Sequence, residues 1–181
     1  NGPLAFIADT KTPGIKIGYR EPTLGLRGVS INTVYFDHMI VPESDRLGQA
    51  GEGRHVAHEA LAHMRLAIAA LALGAAEGSL GLGRAFAIER KQFGVSIATK
   101  QAIGNYFADT EIDIEALRHL IEYTAWLIEQ KKDYKQVALK AKTLGAKVAR
   151  DAANRMLQVH GGYGFSDEYA ISRFYRDVRA L

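Results

Sequence analysis

Residues 54–91 read RHVAHEALAHMRLAIAALALGAAEGSLGLGRAFAIERK, and the periodicity of this stretch decides the fold class. Ala60, Met64, Ala67, Leu71, Gly74, Gly78, Gly81, Ala85 and Ile88 recur at alternating spacings of four and three, the period of one helix face. The spacing predicts one long helix from about Arg54 to Lys91, with these residues as a single stripe. Inside a helix, Gly74, Gly78, Gly81 and Gly83 each cost roughly 1 kcal/mol against alanine. They therefore call for another backbone or a flat ligand at close range, with helix–helix packing the simpler account.

Toward the C-terminus the same period continues. Ile103, Phe107, Thr110, Ile114, Leu117, Ile121, Ala125 and Ile128 predict a helix from about Thr99 to Gln130. A third stripe, Val137, Ala141, Leu144, Val148, Ala152, Arg155 and Val159, ends at Gly161-Gly162, and glycine is favoured just past a helix C-terminus. Ser166 or Asp167 is placed to cap a shorter fourth helix reaching Arg179. Long amphipathic helices joined by short connections imply an up-down four-helix bundle, so the fold class is mainly α.

Toward the N-terminus the pattern changes. Pro3, Pro13, Pro22 and Pro42 all precede residue 43, and none follows. Leu4–Ile7, Gly14–Ile17 and Thr33–Phe36 are short β-prone runs between turn formers, and they predict three or four short strands. About fifty such residues cannot bury a sheet face alone, because small sheets need a second layer. The boundary near Gly48 to Gly53 thus separates an incomplete β-sheet segment of a larger β domain, 1–52, from a helical bundle domain, 53–181.

Composition narrows the function classes. The chain has 181 residues, 48% hydrophobic and 24% charged, with 23 Lys and Arg against 20 Asp and Glu in interspersed order. A net charge of +3 without a basic run gives no reason to expect a nucleic-acid partner. The absence of cysteine excludes disulfides, thiolate metal sites and thiol nucleophiles. The longest apolar-rich run, Leu66 to Leu73, falls short of the roughly 20 residues that span a bilayer, so no membrane span is expected. His55, His58 and His63 lie close together, but only the first two share a helical spacing, and no metal is assigned. No nucleophile turn of the Gly-x-Ser-x-Gly kind occurs.

Two loops carry residues with chemistry. Glu89-Arg90-Lys91-Gln92-Phe93-Gly94 sets two cations beside an aromatic ring; arginine suits phosphate oxygens and Phe93 suits a flat heterocycle. The same residues also suit a structural role, with the cations at a helix C-terminus and Phe93 plugging the end of the bundle. Gln158-Val159-His160-Gly161-Gly162-Tyr163-Gly164 offers a glycine-rich backbone that a ligand can approach closely, although a helix C-cap accounts for two of its glycines.

Taken in order, these segments resemble the acyl-CoA dehydrogenase family of flavoproteins. The resemblance rests on Leu24-Gly25-Leu26-Arg27-Gly28-Val29-Ser30, on Val34-Tyr35-Phe36-Asp37-His38-Met39-Ile40-Val41-Pro42, on both loops above, and on Glu168-Tyr169 with Arg176-Asp177. It covers essentially the whole chain. It implies the second part of a middle β domain followed by most of a C-terminal helical bundle, truncated at its C-terminal end, as a fragment of a longer chain. It also implies an FAD cofactor shared between the subunits of a homo-oligomer, dimer or tetramer, with an acyl-CoA substrate and an electron-transfer flavoprotein as a further partner.

By the resemblance, Arg90 corresponds to an arginine on the FAD pyrophosphate of a neighbouring subunit and Phe93 to the aromatic beside it. Gln101 corresponds to a cofactor-contacting glutamine, and Gln158, Gly161 and Gly162 to the loop around the adenosine and pyrophosphate end. Arg65 corresponds to a helix arginine near the substrate thioester. The implied reaction is α,β-dehydrogenation of an acyl-CoA thioester: a carboxylate takes the α proton and the flavin accepts hydride from the β carbon. No catalytic base is expected within this chain, since the usual glutamate lies beyond Leu181, and the alternative glutamate position, before Arg65, holds Met64. The aspartate common three residues before the helix arginine is replaced by Ala62. A flavin oxidase or monooxygenase of the same superfamily, and a non-catalytic helical assembly module, are the alternative functions. The resemblance implies a bacterial cytoplasmic protein, with the mitochondrial matrix as the alternative.

Overall fold

A computed structural model describes residues 2–181. The chain forms two compact units, 1–61 and 62–181.

The first unit is built of two-stranded pieces. β1 (Ala5–Phe6) pairs antiparallel with β4 (Arg46–Leu47), and β2 (Ile15–Arg20) with β3 (Asn32–Phe36). Ile15 faces Phe36 and Ile17 faces Val34, then the register slips between Ile17 and Arg20. Gly18 lies in that slip, where a Cβ would stand 2.8 Å from the Tyr35 ring. Among the described residues neither sheet gains a third strand, and apolar strand side chains that a second layer would cover stay exposed, Val34 at 42% and Phe36 at 70%. The strand signals at Leu4, Gly14 and Thr33 are borne out, with shifts of up to three residues at their ends.

The second unit is helical. α1 (Gly53–Glu89) begins in the first unit and runs through 37 residues; α2 (Gln101–Glu129), α3 (Lys135–Val159) and the short α4 (Ala170–Asp177) follow. Inter-helix pairs give the directions. Glu77 and Arg84 of α1 meet Arg118 and Glu111 of α2, so sequence numbers run opposite ways along the two helices. Arg155 of α3 donates to Asp113 at 3.0 Å and to Thr110 at 3.3 Å on α2, whereas Leu127 packs with Ala138, again antiparallel. These contacts make the long helices up-down-up, and they explain the arginine in the third apolar stripe. Glu77 first and Glu115 second hold the Arg118 guanidinium charge beyond its already high range.

The core lies among Ala76, Leu80, Ala87, Ile114, Leu117, Val148, Met156 and Ile171. The stripes on α2 and α3 face it as their periodicity predicts. The stripe on α1 does not. Ala62, Ala69, Ala72, Ala76, Leu80 and Ala87 are its buried positions, whereas Leu71 and Ile88 of the expected stripe are 54% and 67% exposed. The helix is apolar on both faces, so period alone could not orient it. Close approach occurs at Gly83 against Met156 and at Gly78, 2.8 Å from the Phe174 ring, but not at Gly74 or Gly81, whose Cβ positions are open.

Two boundaries differ from expectation for a structural reason. α1 stops at Glu89 because Arg90 begins a hairpin. α4 starts at Ala170 rather than at Ser166 or Asp167, since residues 161–165 form a 3-10 turn and the Asp167 carboxylate accepts from Arg176 at 2.8 Å instead of capping. By length and composition α1 could cross a membrane, with an 18-residue window of mean hydropathy 1.6, a property hidden by reading only Leu66–Leu73. Its alanine-rich face forms bundle core instead.

α2 ends in a left-handed cap. Lys132 N–H donates to Leu127 O at 2.9 Å and Lys131 N–H to Ile128 O at 2.9 Å, with Lys131 at φ 53. A side chain in this region costs about 1 kcal/mol that glycine avoids. Lys131→Gly is expected to raise stability by about 1 kcal/mol, seen as a higher urea midpoint at unchanged m value.

Candidate functional site

The end of α1 shapes the site. Ser96 Oγ donates to Ala87 O at 2.8 Å and accepts from Ala98 N–H at 3.2 Å, tying the helix end to the chain that follows. Ile97 N–H donates to Arg90 O at 2.9 Å, and β5 (Lys91–Gln92) pairs with β6 (Val95–Ser96). The two turn residues, Phe93 at φ 55 and Gly94 at φ 81, are both left-handed, as in the tight turns that suit a twisted hairpin. Glycine fits there. Phenylalanine does not, at a cost of about 1–2 kcal/mol, and its ring is 93% exposed. Phe93 therefore plugs nothing, and the bundle-end reading of this residue fails.

Facing the hairpin is the turn after α3. His160 closes the helix and Gly161, at φ 56, takes the left-handed position just beyond it. The His160 ring is buried and stacked on Phe86 at 4.3 Å between ring centres. Its Nδ1 lies 2.7 Å from Met156 O; a carbonyl only accepts, so Nδ1 carries the proton. Gly164 is held by packing, with Leu157 O 2.5 Å from the site of a Cβ. Gly162 is different: its φ is not positive and nothing lies within 4 Å of its Cβ position. No contact within this chain requires glycine there.

Between hairpin and turn is an open cleft of about 900 Å3, lined by Phe86, Arg90, Gln92, Phe93, Ile97, Lys100, Ile103 and residues 159–163. Arg90 is half-buried, with its Cζ 5.4 Å from the centre of the Tyr163 ring. Lys100 Nζ is 6.0 Å from the centre of the Phe93 ring. The lining contains two cations and no carboxylate. Apolar walls, aromatic rings and uncompensated positive charge suit an anion carried on flat heterocycles, and the open Cβ position of Gly162 leaves room for close backbone approach. The donor set fits a dinucleotide diphosphate such as that of FAD.

Four of the residues singled out from sequence line this cleft: Arg90, Phe93, Gly161 and Gly162. Gln101 and Gln158 are exposed and adjoin lining residues without lining it themselves. Arg65 is half-buried and lies elsewhere on α1, 24 residues before the helix ends at Glu89 and thus about 36 Å from that end along the axis. Met64 is half exposed beside it. Ala62 is fully buried against Leu127, Tyr134 and Ala138, so position 62 faces the bundle. Sequence reasoning missed Phe86, Ile97, Lys100, Ile103 and the use of Tyr163. Phe86 was reachable, one helical turn before Arg90; Lys100 required the hairpin's tight return.

The family model described as acyl-CoA dehydrogenase, C-terminal domain, matches residues 51–181. The chain belongs to the acyl-CoA dehydrogenase family. Among curated relatives, it is 38% identical over 97% of its length to 46% of the short-chain specific acyl-CoA dehydrogenase of Clostridium acetobutylicum. It is 36% identical over 98% of its length to 47% of the caffeyl-CoA reductase-Etf complex subunit CarC of Acetobacterium woodii. Among solved structures, butyryl-CoA dehydrogenase from Megasphaera elsdenii superposes with a TM-score of 0.95 at 33% identity, covering 98% of this chain and 46% of that one. The chain thus spans about half the length of the acyl-CoA dehydrogenase relatives it matches, and its helical architecture is that of the family's C-terminal domain.

Proposed function

We propose that the protein catalyses FAD-dependent α,β-dehydrogenation of an acyl-CoA thioester, and that the cleft between hairpin and α3 turn holds the diphosphate-bearing part of the cofactor. The observation that carries this reading is the cleft's chemistry: Arg90 and Lys100 without a carboxylate, beside the open Cβ position of Gly162. Bound flavin supplies the two-electron acceptor for hydride leaving the β carbon. Arg90 binds phosphate oxygens with its planar fork, Phe93 lies against a heterocycle, and Gly161 and Gly162 admit the ligand to the backbone. Gln101 and Gln158 contact the cofactor from the helix ends flanking the cleft.

Arg65 serves the acyl-CoA thioester. Its separation from Arg90 by about seven helical turns supports distinct ligand regions for the two arginines, as in an oligomer whose subunits share each flavin. A homo-oligomer, dimer or tetramer, is the assembly proposed. An electron-transfer flavoprotein is the proposed acceptor, supported by a relative named as a subunit of an Etf complex. Bacterial relatives such as those of Clostridium and Acetobacterium favour the cytoplasm, and nothing favours a mitochondrial location.

The test is a visible spectrum of the full-length protein, followed by anaerobic titration with a panel of acyl-CoA thioesters. Bleaching of a flavin band by at least one thioester is expected. A protein without flavin that cannot be reconstituted, or a flavin that no thioester bleaches, overturns the reading. Gly162→Leu sharpens it. With open space around the new side chain, stability is expected to stay within about 0.5 kcal/mol, whereas the side chain enters the cleft and flavin retention is lost.

A further inference from the structure

The basic residues of this chain differ in what holds them. Arg84, Arg118, Arg155 and Arg176 each have a carboxylate partner. Arg90 and Lys100 do not: among the described residues neither forms an ion pair, and each lies by an aromatic ring, Tyr163 and Phe93 respectively. An aromatic face holds a cation in place without neutralising it. Both charges therefore remain available to a third group, and both border one cleft that contains no acidic side chain.

The position of Lys100 is fixed by its backbone. Its N–H donates to Ile97 O at 3.0 Å, and its carbonyl accepts from Ile103 and Gly104 N–H, each at 3.0 Å, as α2 starts. Its side chain makes no capping hydrogen bond. The hairpin thus returns the chain so that Lys100, ten residues beyond Arg90, borders the same opening. Lys91, adjacent to Arg90 in sequence, is exposed and lies outside the lining. Placement, not general basicity, distinguishes Lys100.

We propose that Lys100 is a second phosphate-binding residue of this cleft, so that Lys100 and Arg90 together match the two negative charges of a dinucleotide diphosphate. This rests on the FAD reading above. The ammonium acts as a mobile point charge, whereas Arg90 supplies the directional fork. The pairing is partly solvated, and its contribution falls as salt rises.

The test is FAD affinity of the full-length apoprotein, followed by flavin fluorescence at low and high ionic strength. Lys100→Gln is expected to weaken FAD binding about tenfold at low salt, with a smaller loss at high salt. Lys100→Arg restores affinity, and Lys91→Gln changes it by less than about twofold. Competition separates the subsites: Lys100→Gln raises the dissociation constant of ADP and leaves that of adenosine unchanged, so adenosine displaces FAD more readily from the variant than from the unmodified protein. FAD affinity in Lys100→Gln equal to that of the unmodified protein, or an equal loss in Lys91→Gln, overturns the proposal while leaving the FAD reading intact. An unmodified apoprotein that binds no FAD overturns both.

Discussion

Gly145→Val is expected to lower the stability of the helical unit by about 3 kcal/mol, the upper end of ordinary overpacking. Gly145 lies on α3 where it crosses α1, and a Cβ there would stand 3.2 Å from Ala72 Cβ, 3.3 Å from Ala69 Cα and 3.6 Å from Ala69 O. None of these atoms can rotate away, because alanine has no rotamer to change and the rest is backbone. Two further methyl groups must therefore push the helices apart along a seam that also contains Ala149 and Ala153, both fully buried. At Gly83 the obstructing atoms belong instead to the side chain of Met156, which has rotamers to change. Gly145→Ala is the calibrating variant. Helix propensity favours it by about 1 kcal/mol and the 3.2 Å contact opposes it, so its net change is expected near zero. Urea unfolding of the three proteins checks both; a valine variant within about 1 kcal/mol of the parent would show that the α1–α3 seam yields easily.

Gly145 also shows what the sequence made legible and what it did not. α2 and α3 alternate apolar and polar residues, so their inward faces, such as Ile114–Leu117–Ile121 and Val148–Ala152–Val159, followed from spacing alone. α1 has alanine, leucine and glycine around its whole circumference, and a stripe of small residues at the right period ran along its exposed side. The surfaces that α1 meets, including α3 with Gly145 as a close point, decide which side of α1 is buried. The cleft divides similarly. Arg90, Phe93, Gly161 and Gly162 were visible because two short loops set cations, an aromatic ring and clustered glycines side by side in the sequence. Lys100 was not, because its place depends on a two-residue turn that forces Phe93 into a left-handed conformation. The phenylalanine at that turn is the signal that hindsight identifies: local preference and structure disagree there, as they tend to where function constrains a residue.

Arg90→Ala is expected to weaken FAD binding by the full-length protein by about a hundredfold, the effect of losing charge-assisted hydrogen bonds to phosphate oxygens. The fold should not change. Arg90 makes no ion pair among the described residues, its backbone N–H and carbonyl keep their bonds to Phe86 O and Ile97 N–H, and its side chain gives up only the contact with the Tyr163 ring. Arg90→Lys distinguishes charge from geometry. Lysine keeps the charge but loses the planar fork and the stacking on Tyr163, so it should recover only part of the affinity. The two cations of the cleft then give opposite patterns: at position 100 arginine and lysine are interchangeable, and at position 90 they are not. Equilibrium binding of FAD to the apoproteins, with far-ultraviolet circular dichroism to verify folding, measures this contrast directly. Full affinity in Arg90→Ala would remove the phosphate from this cleft and return Arg90 to the structural role of a cation at the end of α1.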